Sequence, residues 1–529
     1  MAVQDLPGGP GCGDGGGSTS LLHRLVGIML LFFSDPDGEL LRLVAEEMRE
    51  LWRMVTPIAL LNFAVFARST ISVACLGRLG SLELSGGALS VGFTNITGYS
   101  ILFGLASGME PICSQAFGSK NWDLISLSLQ RTILILLTAA LPISILWLNL
   151  GRLLTALGQD SAITAVAATY ALCSLPDLLT NSVFQPLRVY LRSQKITTPL
   201  MVCSGVAVLL HIPLNLLFLF VFKLGVPGVA AASVLTNFNM AFGLSAYLFF
   251  AGGRKVAWTG WSLAAFDVRQ WCPLLKLALP SCLGICLEWW WYELITLVAG
   301  YLPEPEVAVA TTSIVIQTTS LMYTLPMALG ACVSTRVGNE LGAGRPCRAK
   351  MATMVALGCA AAAGVVNLAW TVAVRERWVR FFSDDEAVVA LACSVLPLIG
   401  ACELGNCPQT TGCGVLRGTA RPSVGARINL LAFYLLGMPV AVGLAFWCGV
   451  GFKGLWCGLL AAQVACVACV LMVVQRTDWT EEAKRARKLT SMEMPCRRGA
   501  TVAAADDDLD SALDDGGGDD MERQALIIV

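Results

Sequence analysis

Apolar residues run along this chain in long blocks that leave no polar face. Stretches such as 133–150 and 200–221 hold no Asp, Glu, Lys or Arg and offer no charged face to water, which argues against a half-solvated amphipathic helix there. Each block is roughly 20 residues, enough to cross about 30 Å of hydrocarbon at about 1.5 Å per residue. The pattern predicts helices over 54–75, 88–112, 128–150, 162–184, 198–221 and 227–251. After a polar connector at 252–271 it predicts six more, over 272–300, 306–331, 350–372, 386–408, 424–448 and 453–475. Residues 39–53 read as a short amphipathic helix on the membrane surface. The expected fold class is an all-α membrane protein of twelve transmembrane helices.

The two sets of six echo each other. Leu-Gly-Val-Pro-Gly at 224–228 returns as Val-Gly-Phe-Lys-Gly at 450–454, and Leu191-Arg192-Ser193 returns as Leu416-Arg417-Gly418. Gln115-Ala116-Phe117-Gly118-Ser119 returns as Asn339-Glu340-Leu341-Gly342-Ala343, and Pro57 has a counterpart in Pro280. An even number of spans brings each copy back to the same side, so the copies form a parallel repeat of two six-helix lobes. Duplicated membrane bundles of this kind are typical of secondary transporters.

Lys and Arg in the short loops set the orientation. One side carries Lys120, Arg188, Arg192, Lys195, Arg254, Lys255, Arg336, Arg345 and Arg417, and the other mainly Arg78, Arg152, Lys223 and Lys453. Both termini are therefore expected in the cytosol. The chain divides into a partly disordered cytosolic tail (1–53), an N-lobe (54–251), a cytosolic connector (252–271), a C-lobe (272–475) and a second cytosolic tail (476–529). The apolar stretch 25–33 is followed by Ser34-Asp35-Pro36-Asp37 rather than a small-residue cleavage site, and reads as part of the first tail. The last tail starts basic and turns acidic and glycine-rich at 506–520, a disordered composition. Glu522 with Leu526-Ile527 matches an acidic dileucine signal for a sorting adaptor. The expected location is the plasma membrane or an endosomal or vacuolar membrane.

Composition narrows the chemistry. Of 529 residues 56% are hydrophobic and only 14% charged, against about 25% charged in a soluble domain. The net charge of −1, with no basic stripe, argues against a nucleic-acid partner. The 20 cysteines lie mostly inside apolar runs, where they act as small hydrophobes. With two histidines in all, His23 and His211, no metal site, cofactor or catalytic cluster is expected, and the chain does not read as an enzyme.

A charge inside hydrocarbon is expensive and marks a functional candidate. Glu288 and Glu293 lie in Glu288-Trp289-Trp290-Trp291-Tyr292-Glu293 of the seventh span, and Glu403 and Asn406 lie late in the tenth. On a helix Glu403 and Asn406 are about 60° apart and share a face, whereas Glu288 and Glu293 are about 140° apart. Glu288, Glu293, Glu403, Asn406, Trp290 and Tyr292 are thus the expected proton-coupling and substrate-cavity residues. The first span has Arg68 and no acid between Pro57 and Cys75, which favours coupling through the C-lobe. Arg68, Glu110 and Asp177 are weaker candidates, Glu110 and Asp177 standing beside a proline or near a span end.

At these residues the chain resembles the multidrug and toxic compound extrusion (MATE) family, in its plant detoxification branch. The matching text is Gln115-Ala116-Phe117-Gly118, Glu288-Trp289-Trp290, Arg336-Val337-Gly338-Asn339-Glu340-Leu341-Gly342 and Gly414-Val415-Leu416-Arg417-Gly418, spread over 54–475. The resemblance implies an antiporter that exports small organic compounds from the cytosol in exchange for H⁺, with Na⁺ as the other coupling ion, by alternating access. It implies that Glu288 is the proton-coupling acid. The family's tenth-span acid falls on Asn406 here, with Glu403 one turn earlier. Amphipathic cations suit the acids and aromatics, and neutral or weakly acidic metabolites also remain open. Citrate is disfavoured by the short loop at 113–127. The alternative is a lipid-type flippase of the same superfamily without proton coupling. The expected partners are a small organic substrate and the lipid bilayer, and the expected state is a monomer.

Overall fold

The computed structural model describes residues 39–251 and 256–491. The expectations for the first tail up to residue 38, for Arg254 and Lys255, for 506–520 and for the Glu522-Leu526-Ile527 signal lie outside the described residues. The chain divides into two units. In the unit formed by 1–46 and 505–529, the described part is the helical stretch from Glu39 to Glu46. The unit formed by 47–504 holds the helix bundle.

Among the described residues twelve helices are long and apolar enough to cross a membrane. They are α1 (Glu39–Leu79), α2 (Ser81–Gly118), α3 (Trp122–Leu148), α4 (Ser161–Ser193), α5 (Thr198–Val221) and α6 (Val226–Ala251) in the first lobe. The second lobe has α7 (Cys272–Ala299), α8 (Pro305–Gly342), α9 (Pro346–Arg380), α10 (Glu386–Gly418), α11 (Pro422–Trp447) and α12 (Phe452–Gln475). A further helix, α13 (Trp479–Ser491), follows.

Local chemistry sets several of these ends. Asp160 caps α4 by accepting from the amides of Ala162 (2.9 Å) and Ile163 (3.2 Å). Asp385 does the same for α10 through the Ala387 amide at 2.9 Å. Pro346 and Pro422 open α9 and α11 at positions where no amide hydrogen is needed.

The repeat reappears in the backbone. Left-handed backbone angles occur in repeat-related pairs: Lys120 (φ 61°) with Gly344 (72°), Lys195 (61°) with Ala420 (58°), Lys223 (52°) with Gly449 (69°), and Gly225 (61°) with Gly451 (65°). Both copies therefore turn at the same places, with glycine at the last pair because that region disfavours a side chain.

Two expectations change. Residues 39–53 are not a separate surface helix, because α1 runs unbroken from Glu39 through Pro57 to Leu79. Helices α2, α4, α8 and α10 also run past the expected span ends, to Gly118, Ser193, Gly342 and Gly418. Arg188, Arg192, Arg336 and Arg417 are therefore helical rather than in loops. The apolar pattern stops at these polar segments, but partners from other helices keep the backbone helical. Described residues 256–271 of the connector lie on the first lobe. Ser126 and Tyr190 donate to the Ala257 carbonyl (2.9 and 2.8 Å), and Gln130 donates to that of Gly260 at 2.7 Å.

The lobes meet mainly through α2, which packs on α7 and α8. A Cβ on Gly108 would stand 2.2 Å from the Cα of Ala278, and one on Gly104 2.6 Å from that of Cys282. Backbone lies against backbone there, so neither glycine can be replaced without parting the helices.

Candidate functional site

Between the lobes lies a cavity walled by α1, α2 and α4 on one side and α7, α8 and α10 on the other. Asn62, Ser107, Glu110, Arg188 and Arg192 line it from the first lobe, and Glu288, Tyr323, Thr410, Cys413 and Arg417 from the second. Glu288 is 8% exposed, with Tyr323 and Gln409 as its polar neighbours. Among the described residues no Lys or Arg nitrogen lies within 4 Å of its carboxyl. Asn62 donates to the Thr324 carbonyl at 3.1 Å and ties α1 to α8 across the cavity.

Glu403 sits deeper in the second lobe. Its carboxyl accepts from Asn406 (3.0 Å), Cys407 (3.4 Å) and Asn367 (3.3 Å). Asn406 in turn takes the Thr410 hydroxyl at 3.4 Å, and Thr410 is also 3.2 Å from Gln409. A string of polar side chains thus runs from Glu403 through Asn406, Thr410 and Gln409 to Glu288. The shared face expected for Glu403, Asn406 and Thr410 is present.

The other expected site residues are spread around α7. Tyr292 is within electrostatic reach of both Glu288 and Glu403. Trp290 donates to the Ile96 carbonyl at 3.2 Å, in a π-helical turn (Asn95–Tyr99) of α2. Such a turn frees carbonyls for outside donors. Trp289 stacks on Phe103 at 5.7 Å, and Trp291 is buried in its own lobe against Phe433. Glu293 lies beside Gly92 of α2. Of the six expected residues, the structure places Glu288 on the cavity wall. It joins Glu403 and Asn406 to Glu288 through the polar string, and leaves Trp290 and Glu293 along the α2–α7 seam.

The end of the bundle where α2, α4, α8 and α10 stop is shut by paired motifs. A Cβ on Gly118 would meet the Asn339 carbonyl at 2.1 Å, and one on the repeat-related Gly342 would meet the Gln115 carbonyl at 2.0 Å. Gln115 donates to the Gly418 carbonyl at 2.9 Å. With its amide turned so that NH₂ faces the carbonyls, Asn339 donates to the repeat-related Ser193 carbonyl at 3.2 Å. Each copy of the motif thus grips the other around a pseudo-two-fold.

One carboxylate breaks that symmetry. Glu110, 1% exposed, accepts from Arg192 at 2.8 Å and from the repeat-related Arg417 at 3.2 Å. Its counterpart in the second copy is Ser334, whose buried hydroxyl has no hydrogen-bond partner among the described residues. Helix α13 reinforces the closure. Asn121 of the first lobe donates to the Thr490 carbonyl at 3.1 Å, while Arg421 of the second meets Glu482 at 3.3 Å.

The first lobe has its own buried polar group. Asp177 accepts from Tyr99 at 2.7 Å and Asn237 at 2.8 Å, and Arg68 interacts with it electrostatically. The acid that answers Arg68 is thus supplied by α4. His211 bonds Thr236 (2.8 Å), Ser72 (3.0 Å) and Asn215 (3.0 Å).

Arg188, Arg192 and Arg417 face the cavity, although their sequence positions suggested loop charges. The repeat carries an arginine at 192 and again at 417, a signal that could have singled out those two, whereas Arg188 has Cys413 at its repeat-related position.

The MatE family model matches residues 57–217 and 280–442 of this chain, one segment starting at each repeat-related proline. Protein DETOXIFICATION 55 of Arabidopsis thaliana is 54% identical over 458 residues, covering 84% of this chain and 91% of that protein. Protein DETOXIFICATION 52 of the same plant is 51% identical over 447 residues, covering 84% and 88%. The crystal structure of the eukaryotic MATE transporter AtDTX14 matches with a TM-score of 0.81 at 31% identity, over 85% of this chain and 100% of that one. A MOP superfamily transporter from Pyrococcus furiosus shares the fold, with a TM-score of 0.75 at 16% identity over 82% and 97%. The chain belongs to the MatE family: it is a multi-pass membrane transporter for the efflux of compounds, not an enzyme.

Proposed function

We propose that this transporter is an antiporter that exports small organic compounds from the cytosol in exchange for protons, with Glu288 as the coupling acid. The carrying observation is a buried carboxyl that lines the cavity between two lobes and has no ion-pair partner within 4 Å among the described residues, Arg417 acting on it from farther off. A group so placed is relieved either by a proton or by a positively charged ligand. The two occupants compete, and competition for one carboxyl is what couples export to proton entry.

The shut end, with Arg192, Lys195, Arg336, Arg417 and Arg421, is assigned to the cytosol by the positive-inside rule. The structure then corresponds to the state closed toward the cytosol. Protonation of Glu288 from the far side releases substrate there. Parting of the α2–α8 and Glu110–Arg417 contacts opens the cytosolic side, where Glu288 gives up its proton. The string to Glu403 makes that carboxyl a second proton holder in place of the acid absent at Asn406. One proton supplies about 1.4 kcal/mol per pH unit and about 2.3 kcal/mol per 100 mV. Together these sustain roughly a few hundredfold gradient of a neutral compound.

Efflux of a fluorescent organic cation from proteoliposomes under an imposed pH gradient tests this reading. Acceleration by the gradient is expected in the wild type, with its loss in Glu288→Gln. Flux indifferent to the gradient would sink the antiport reading and favour a lipid-type flippase. Unchanged coupling in Glu288→Gln would sink the site assignment.

A further inference from the structure

The cavity holds a second charge left without a counter-ion. Three guanidiniums line it (Arg188, Arg192 and Arg417) against two carboxylates, Glu110 and Glu288. Glu110 is taken by Arg192 and Arg417 together. Arg188 has no carboxylate within 4 Å among the described residues. Its side-chain partner is the Gln185 oxygen at 3.4 Å, a weak contact, and its guanidinium stands 5.5 Å from the centre of the Phe184 ring. The charge that acts on it is that of Arg192, of the same sign.

A half-buried arginine on a cavity wall, as Arg188 is, normally meets a planar anion through its fork of donors. Arg188 on α4 and Glu288 on α7 therefore face one cavity from opposite lobes, opposite in sign and neither held in an ion pair within 4 Å among the described residues, Arg417 being paired with Glu110 and acting on Glu288 from farther off. We infer that the transported compound is amphoteric: an apolar body with an anionic group held by Arg188 and a cationic group held at Glu288. This rests on the antiport reading only for the competition at Glu288; the Arg188 assignment stands on the cavity's charges. A simple cation is opposed by the arginine and a simple anion by the glutamate, whereas a compound with both groups satisfies both walls. Arg188 is then the residue that sets substrate class, and moving a zwitterion out for one proton carries one positive charge inward per cycle.

Three dyes on one xanthene frame separate the cases: rhodamine 110 is a zwitterion, rhodamine 123 is its cationic methyl ester, and fluorescein is an anion. The full-length transporter in proteoliposomes is expected to export rhodamine 110 about tenfold faster than either relative, the scale of one charged hydrogen bond. Arg188→Gln is expected to lower the ratio of rhodamine 110 to rhodamine 123 flux about tenfold, and Arg188→Lys to restore part of it. Equal wild-type fluxes of the zwitterion and its ester would overturn the inference, and so would a ratio unmoved in Arg188→Gln. Fluorescein flux matching that of rhodamine 110 would remove the cationic half. If Arg188→Gln does not fold, the wild-type ratio and Arg188→Lys decide: equal wild-type fluxes of the zwitterion and its ester, or a ratio in Arg188→Lys undiminished from wild type, contradict the assignment. Preference without gradient dependence would refute proton coupling and keep Arg188, and gradient-driven flux without preference would do the reverse.

Discussion

Replacing Glu110 by glutamine should unlatch the shut end of the bundle, the end that the proposed orientation turns to the cytosol. The carboxylate is 1% exposed and holds Arg192 at 2.8 Å and Arg417 at 3.2 Å, one from each lobe. Removing one partner of a buried ion pair costs about 3–5 kcal/mol, because the remaining charge is left buried. Glutamine keeps one acceptor oxygen, so the lower end, about 3 kcal/mol, applies. Two guanidiniums then face each other with no anion between them. When the lobes part, water reaches all three groups and most of the penalty disappears. The closed state alone is penalised, and its population relative to the cytosol-open state falls by about a hundredfold. Cys413 lines the cavity behind this latch and reports on it. In inside-out vesicles a membrane-impermeant maleimide should label Cys413 about a hundredfold faster in Glu110→Gln, read by peptide mass spectrometry. A folded variant whose Cys413 labels at the wild-type rate would refute the latch.

Gly342→Ala should shift the same equilibrium by steric means, since its Cβ would stand 2.0 Å from the Gln115 carbonyl; about 1–3 kcal/mol of overpacking should appear as a lower melting temperature and faster Cys413 labelling. Glu403→Gln should weaken gradient-driven efflux less than Glu288→Gln, because Glu403 bonds Asn406, Cys407 and Asn367 and does not line the cavity; a larger loss in a pH-gradient flux assay would make Glu403 the principal proton site. Asp177→Leu should destabilise the first lobe by about 3 kcal/mol or more, since the Tyr99 hydroxyl and Arg68 lose a buried acid; thermal unfolding that matches wild type would count against it. Arg421→Ala should loosen α13, seen as faster proteolysis after residue 478, and unchanged protection would show that the Glu482 contact is dispensable.

Much of this architecture was legible in the chain because hydrocarbon leaves few options. A run such as 200–221 holds no Asp, Glu, Lys or Arg, so its role as a span is legible from the chain alone, while Ser204, His211 and Asn215 share one face that turns inward. The repeat was legible at glycines and arginines because the same turns and the same seam recur in both copies. Glu288 stood out as a charge in an apolar run, and the structure brings it to the cavity. Trp290 and Glu293 did not follow it there, because spacing on α7 gives relative angles but not which angle faces the cavity. The cavity arginines were hidden for a different reason. Arg188, Arg192 and Arg417 lie where apolar pattern gives way to polar, and a charge there reads as one that has reached water. Only the close packing of α2 against α8 shows that these helix ends are buried. The latch at Glu110 was equally invisible, since its two partners come from residues 82 and 307 positions away.

The central claim is that substrate and proton compete for the Glu288 carboxyl. Adding a saturating amphoteric dye to purified transporter in weakly buffered solution near neutral pH measures this directly through a pH indicator. The account predicts release of about one proton per transporter, scaled by the fraction of Glu288 that is protonated beforehand, in the wild type and none in Glu288→Gln. Equal release by both proteins, or dye binding by the wild type with no proton released across the neutral range, would contradict it.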